Sequence, residues 1–532
     1  MGSRSPDAVR LSGWTEGALR RVRHPSLVAA AALGSLLAFI AIGRLGRGVA
    51  WVIQPGEVTF GEAILYDHAA RIVRGEPLYQ PLDRPPYTIA AYTPVYYGLA
   101  AALQAIVGPG FPPGRMLSLT AGIAAAALVG YLASRRARSR WAGAFAALLF
   151  LVLGFAGGKP WFSLYKEDML GVALALGAIA TLSGGRSTRR LVIAGVLAGL
   201  AILTKQTFVA AAVAGTVWLL RDDRKHAAVF AGACLTIVLM TGVALEVATG
   251  EFLANAFFAI AVPFRWETLR SNLRSLAHFQ AVPLALAALY LLDRARRGRR
   301  EEADLLVLFW AASFLPLVGL AKAGSSHNYW IELAAATAIL ATLAIWVRLS
   351  RQGTYADQWR GVLPVLLLGA NVAVVMSGFG SSAVPVLSVR QAGPSQGPDF
   401  GKLVERVRSE PREVLADPPD VVVLAGRRNV LELYFSTIRY SQGQWDLTPL
   451  VRQICRGEVG LLVLRYKLES EGRGTYDGYA YWPPPILAAL RESMVLQTKQ
   501  AGRFLYVPLE SAAGASAVAI RSGICRDAAA SQ

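Results

Sequence analysis

Three carboxylates stand five residues apart in one polar stretch, PGEVTFGEAILYDHAARIVRGEPLYQPLDRPPYTIAAYTP, between Pro55 and Pro94: Glu57, Glu62 and Asp67. A carboxylate at the edge of a low-dielectric region has its pKa raised toward the range of a general base, so such a group can take a proton from an attacking hydroxyl. Five residues of continuous helix turn the chain by about 500°, which leaves successive members of the series about 140° apart. They cannot all face one pocket unless the loop is irregular. One therefore serves as the base, and the others support it or lie on the surface. The competing reading is a solvated loop with ordinary carboxylates.

Other polar residues mark the ends of apolar segments. Lys166, Glu167 and Asp168 follow the aromatic run Trp161–Tyr165; they suit a site facing the first loop, or simply acids favouring a helix N-terminus. Lys205 and Gln206 interrupt an apolar stretch, where a lysine can grip a phosphate or snorkel to the interface. Arg44 and Arg47 lie one turn apart at the end of the first span, and Arg265, Arg270 and Arg274 lie in PFRWETLRSNLRSL. Arginine suits bidentate phosphate binding, and an interfacial amphipathic helix is the rival explanation. His327, Asn328, Tyr329 and Glu332 open a late span, with Asn328 and Glu332 on one face at i,i+4.

What is missing narrows the chemistry. There is no HExxH, no P-loop and no GxGxxG in a strand-to-helix context, which argues against a cytosolic nucleotide and for a lipid-borne substrate. Cys234, Cys455 and Cys525 give no metal spacing; Cys455 and Cys525 can pair if the tail is extracytoplasmic.

The elements that must position these residues are membrane helices. The chain of 532 residues is 54% hydrophobic and 17% charged, with mean hydropathy +0.41, and many apolar runs approach the roughly 20 residues that cross a bilayer. The net charge of +19 sits mostly in short clusters between those runs, as the positive-inside rule demands, so nucleic acid is excluded as a partner. Arg20, Arg21 and Arg23 place a leader, residues 1–26, in the cytoplasm. After a span from Leu27 to about Gly43, the first loop, about residues 51–112, is outside, with Tyr92–Val107 lying along or dipping into the outer surface. Further spans are expected at Met116–Ala133 and near 141–157, 168–182, 191–204, 207–220, 227–248, 279–292, 305–321, 329–347 and 361–378. That makes about eleven, with arginine-rich loops on the cytoplasmic side. A linker covers 379–398, a soluble α/β domain 399–510, and a disordered tail 511–532.

At this point the chain resembles the polytopic GT-C-type glycosyltransferases that use polyprenyl-phosphate sugars, the class of the protein O-mannosyltransferases and the lipid A aminoarabinose transferase. The resemblance rests on Glu62 ahead of the Gly75-Glu76 turn, on Arg84-Pro85-Pro86-Tyr87 and Tyr92-Thr93-Pro94, and on Glu57-Val58-Thr59-Phe60-Gly61. It covers about residues 27–378. Gly56 and Gly61 stand where the family usually has an aspartate. The resemblance implies an all-α, GT-C-like transmembrane domain with a small extracytoplasmic α/β domain, in the plasma or inner membrane. It implies sugar transfer from a polyprenyl-phosphate donor to a hydroxyl of a glycan, lipid or protein, with inversion. A first-loop carboxylate would be the base, in the order Glu62, Asp67, Glu57. Lys205, Arg270, Arg265 and Arg44 would meet the donor phosphate, and Lys166, Asp168, Gln206, His327, Asn328, Tyr329 and Glu332 would bind substrate. No cofactor is certain, and a divalent metal, which some relatives use, stays open: no independent ligand set for one is visible in the sequence. The competing functions are a flippase or transporter of lipid-linked substrates and a non-catalytic envelope-assembly protein.

Overall fold

The computed structural model describes residues 25–154, 161–296, 304–350, 355–377, 398–470, 475–476, 479–510 and 523–525. Most of the expected leader, linker and tail lie outside these. A helix falls within each expected span: α1 (Pro25–Val52), α4 (Pro112–Ala137), α5 (Arg140–Leu153), α6 (Asp168–Ser183), α7 (Thr188–Ile202), α8 (Ala210–Leu220), α9 (Arg224–Thr249), α10 (Trp266–Ala295), α11 (Asp304–Ala312), α12 (Ile331–Leu349) and α13 (Tyr355–Ser377); α11 covers only the first part of the span expected near 305–321, and residues 155–157 of the span near 141–157 lie outside the described residues. Among the described residues five helices are long and apolar enough to cross a membrane: Pro25–Val52, Pro112–Ala137, Arg224–Thr249, Trp266–Ala295 and His327–Leu349. α1 runs nine residues past Gly43, to Val52, because nothing after Gly43 breaks a helix until Pro55 disfavours it. The loop that follows holds two helices of its own, α2 (Glu62–Val73) and α3 (Pro94–Val107). α3 starts on Pro94, whose fixed φ suits a first helical position.

Burial explains how the helices are arranged. α12 is enclosed along nearly its whole length and α10 packs against it, whereas α9 leans on α7 with one side and leaves Leu235, Leu239, Met240, Val243 and Val247 exposed. A helix apolar all round must be covered by protein or by lipid, so the open side of α9 is a bilayer-facing surface. The arginine clusters collect at one end of the bundle. Arg135, Arg136, Arg138, Arg186 and Arg221 share a cavity of about 720 Å³, and Arg348 pairs with Asp293 at 2.8 Å nearby. The first loop lies at the other end, since α4 runs from Arg115, which touches that loop, down to Arg135 and Arg136.

Residues 398–510 build a four-stranded sheet in the order β1 (Glu413–Asp417), β2 (Val459–Leu464), β6 (Arg503–Pro508), β5 (Met494–Gln500). β1 and β2 are parallel and the other pairs antiparallel. A short hairpin, β3 (Thr475–Tyr476) and β4 (Tyr479–Ala480), stands apart. Five helices complete this part: α14 (Pro398–Ser409), α15 (Asp420–Leu424), α16 (Leu433–Ser441), α17 (Thr448–Cys455) and α18 (Pro484–Ser493). Cys455 and Cys525 form a disulfide. The sheet separates two apolar cores, one of which includes Tyr87 and Ile89 of the first loop. The two parts are also joined by backbone: Tyr87 pairs with Leu431 in a parallel bridge, its N–H donates to Val430 O at 2.8 Å, and Glu432 N–H donates to Tyr87 O at 2.9 Å.

This arrangement puts Arg84 and Arg138, both exposed, at opposite ends of the bundle. Arg84→Cys and Arg138→Cys variants treated with a membrane-impermeant maleimide on intact cells should therefore label at one position and not the other. Equal labelling of both would contradict the helix arrangement.

Candidate functional site

Glu62 is the N-terminal residue of α2 and is fully buried. Its Oε1 accepts from Arg115 Nε at 2.9 Å and from Tyr165 N–H at 2.6 Å. Its Oε2 accepts from Arg115 Nη2 at 2.8 Å, Val58 N–H at 2.8 Å and Thr59 N–H at 3.3 Å. The remaining guanidinium protons reach Trp51 O, Gln54 O and Gly56 O. Both side chains are saturated, in the fork geometry that arginine provides and lysine does not. Gly61, just ahead, has φ +90°, and a Cβ there would lie 2.5 Å from Lys166 Nζ; only glycine serves both demands.

Asp67 is also committed, to Arg71 at 3.0 Å and Arg74 at 3.6 Å. Glu57 is different. It lies in the turn before α2, buried, and neither carboxylate oxygen has a hydrogen-bond partner among the described residues. Its backbone N–H donates to Asp420 and its carbonyl accepts from Arg465, both in the sheet-bearing part. Burial first, then the charges of Asp420 and Glu62, push its carboxyl up to about 8.

A second charged cluster lies where α6 begins. Lys205 Nζ sits 2.8 Å from Glu167 and 2.7 Å from Asp168, and Asn328 Nδ2 donates to Asp168 at 3.2 Å. The rings of Tyr92 and Tyr329 face the same ammonium at 5.1 and 5.4 Å. Burial works against the charge on Lys205, but Asp168 and Glu167 outweigh it and hold the ammonium well above its usual range. Gln206 donates to Ala91 O and Ala256 O, which ties this turn to the first loop.

The clusters border a cavity of about 320 Å³. Thr59, Phe60, Gly61, Tyr92 and Tyr97 line it from the first loop, Trp161 and Lys166 from the next, and Asn328 from the turn His327–Trp330 just before α12. Glu432, Tyr434 and Phe435 line it from the sheet-bearing part. Of the residues singled out in the sequence, Lys166 and Asn328 reach the cavity; Asp168, Lys205 and Tyr329 stand directly behind it. Glu57, Glu62 and Asp67 lie behind its first-loop wall. Arg270 is exposed on α10, Arg265 pairs loosely with Glu267 at 3.8 Å, and Arg44 is buried in α1 against Met376; none of the three lines the cavity. His327 stacks near Trp330, and Glu332 is buried in α12, its oxygens without a hydrogen-bond partner among the described residues.

Two participants are absent from the sequence reading. Arg115 opens an apolar helix, and a charge at such a boundary is a signal in its own right. Glu432 carries no local signal, because only the bridge to Tyr87 brings it to the cavity. As for a divalent metal, no group of three or more His, Cys, Asp or Glu placed to hold one occurs among the described residues.

These features define a GT-C-like fold: a multi-pass helical bundle whose first loop and C-terminal part enclose a site at one end. The architecture is similar to ArnT from Cupriavidus metallidurans in the apo state, with TM-score 0.57 and 16% identity over 91% of this chain and 99% of that one. The structure of that protein bound to undecaprenyl phosphate matches with TM-score 0.55 and 15% identity, covering 92% of this chain and 99% of that one. The oligosaccharyltransferase AglB from Archaeoglobus fulgidus, in complex with an inhibitory peptide and a dolichol-phosphate, matches with TM-score 0.52 and 13% identity, covering 92% of this chain and 75% of that one. No family model and no curated protein sequence matches the chain.

Arg115→Lys should be severely destabilising despite keeping the charge. A lysine cannot meet both Glu62 oxygens and three carbonyls, and an under-compensated buried carboxylate costs about 3–5 kcal/mol. Thermal unfolding of the detergent-solubilised protein reads this directly; a midpoint equal to wild type would show that the pair is not a structural hub.

Proposed function

We propose that the chain is an integral-membrane glycosyltransferase that moves a sugar from a polyprenyl-phosphate donor to an acceptor hydroxyl, and that the cavity end of the bundle is extracytoplasmic. The observation that carries this reading is the convergence of three separate loops and the C-terminal part on one cavity, at the end opposite the arginine clusters. The likeness to folds solved with undecaprenyl phosphate and dolichol-phosphate supports a donor of the same kind. The positive-inside bias supports the orientation.

The chemistry follows from which charges are already committed. Lys205 is neutralised by two acids, whereas Lys166 lines the cavity and its ammonium lies beside Gly61. Lys166 is therefore the cation best placed for the donor phosphate. Among the first-loop acids Glu57 is the one with free oxygens, and its raised pKa suits a base working near neutrality. In the transfer, the Glu57 side chain, packed behind the first-loop wall, must turn toward the cavity to take the acceptor hydroxyl's proton, and the acceptor oxygen forms a bond to the anomeric carbon. The bond from that carbon to the phosphate oxygen breaks, and polyprenyl phosphate departs with the electron pair, its charge met by Lys166. A single displacement inverts the anomeric centre. Glu62 and Asp67 hold the loop in shape.

Glu57→Gln, assayed for sugar transfer from undecaprenyl-phosphate sugars, should lower kcat by about 100- to 10,000-fold, the usual contribution of a general base. The base works ionised, so wild-type activity should climb as pH rises through about 8, and the residual activity of the variant should lack that limb. Full activity in Glu57→Gln, Glu62→Gln and Asp67→Asn alike would remove the first-loop assignment.

A further inference from the structure

One wall of the cavity comes from far along the chain. Residues 430–435 are zipped to the first loop by the Tyr87–Leu431 bridge. Glu432 Oε2 accepts from Ile89 N–H at 3.2 Å, and the Tyr434 hydroxyl donates to Ala323 O. Gly324 has φ +74°, and a Cβ there would lie 2.6 Å from the Tyr434 hydroxyl oxygen, so the loop from α11 to α12 accepts this ring only because the residue is glycine. The segment is thereby fixed from two sides. It presents one carboxylate and two half-exposed rings, Tyr434 and Phe435, whose centroids are 4.9 Å apart at 68°.

Glu432 is 4% exposed, and its Oε1 has no hydrogen-bond partner among the described residues. Among the described residues lining the cavity it is the one acid, and Lys166 is the one cation. A carboxylate repels a phosphate, so the donor phosphate belongs at Lys166 and the Glu432 wall is left to the uncharged partner. An ionised carboxylate is acceptor-only and takes two hydroxyl donors at once. Aromatic faces beside it offer apolar area to the C–H face of a pyranose or furanose ring.

We propose that residues 430–435 form the acceptor-binding wall and that the acceptor is a saccharide, its neighbouring hydroxyls held by Glu432 and its ring lying on Tyr434 and Phe435. This rests on the glycosyltransferase reading and adds the chemical class of the acceptor and the residues that select it. Glu432 acts here as a binding and orienting residue, while the proton goes to the first-loop acid. Burial, opposed by the Ile89 N–H and by Lys166, holds the Glu432 carboxyl up to about 7, so part of its hold on the acceptor should fade below that pH.

The test uses the full chain in detergent with undecaprenyl-phosphate mannose, arabinose or galactose as donor. Octyl glucoside, octyl mannoside and a threonine-containing peptide are offered as acceptors. Glu432→Gln keeps an oxygen for Ile89 N–H but loses the charge; Phe435→Leu keeps apolar bulk but loses the ring. Each should raise the acceptor KM by about tenfold, the value of one charge-assisted or stacking contact. The donor KM should move by less than about twofold, with the unfolding midpoint as in wild type. An equal rise in both KM values, no rise in either, or wild-type transfer to the peptide alone overturns the proposal. If wild-type protein transfers to none of the three acceptors, the glycosyltransferase reading falls and takes this inference with it. If wild type transfers to a glycoside and Glu432→Gln leaves the acceptor KM unchanged, only the acceptor wall is lost.

Discussion

The buried pair of Glu62 and Arg115 is the constraint on which the rest of the site depends. Every guanidinium N–H is used, two on the carboxylate and three on the carbonyls of Trp51, Gln54 and Gly56. The carboxylate in turn stops the orphan N–H groups of Val58 and Thr59 and reaches across to Tyr165. One ion pair thus joins the end of α1, the start of α2, the start of α4 and the loop before α6. In a region too dry for water to satisfy these carbonyls, any other arrangement leaves polar groups unpaired. The turn that carries Glu57 is held in place by this pair.

Pairing also decides which groups remain for chemistry. Buried charges persist when partnered, and most of those near the cavity are partnered: Glu62 with Arg115, Asp67 with Arg71, Glu167 and Asp168 with Lys205, Asp420 with Arg503 at 2.8 Å. Lys205 lies between Glu167 and Asp168 and offsets their charge. Once these pairs are set aside, Lys166 and Glu432 are left on one small cavity, with Glu57 behind its first-loop wall. An acid behind one wall, a cation on the next and an acid on the third is a polarised space, suited to separating a proton from a departing phosphate.

Much of the helical frame was legible in the sequence because its signals are local. Apolar run length and arginine placement located a helix within each expected span. The acidic residues of the first loop, the Lys166–Asp168 group and Lys205 were visible as polar residues at helix ends. Their division of labour was not. Glu62 stood first among the candidate bases because the family resemblance favoured it, and that resemblance says nothing of Arg115, more than fifty residues later. The C-terminal sheet was read only in pieces: β2 and β6 have the apolar runs of buried strands, whereas β1 is five residues long and β5 is mostly exposed. Short or half-polar strands are defined by their neighbours.

The same limit explains why a boundary drawn at residue 398 or 399 separates what packing joins. Composition changes there, from apolar spans to a mixed α/β sequence, and a composition change is a fair sign of a change in solvent. It does not say where a core ends. Tyr87 and Ile89 are buried among Leu431, Leu433, Trp445 and Leu447, so the first loop contributes apolar side chains to the core beneath the sheet. Gly56 lies against Phe400 and Asp420, so the turn carrying Glu57 is shaped by α14 and α15 as well as by Arg115. Removing the C-terminal part would expose Tyr87 and Ile89, free the turn at Gly56 and take away the Glu432 wall together. The first loop and the C-terminal part therefore pack as one unit, held against Arg115 at the start of α4 and the loops that carry Lys166 and Lys205.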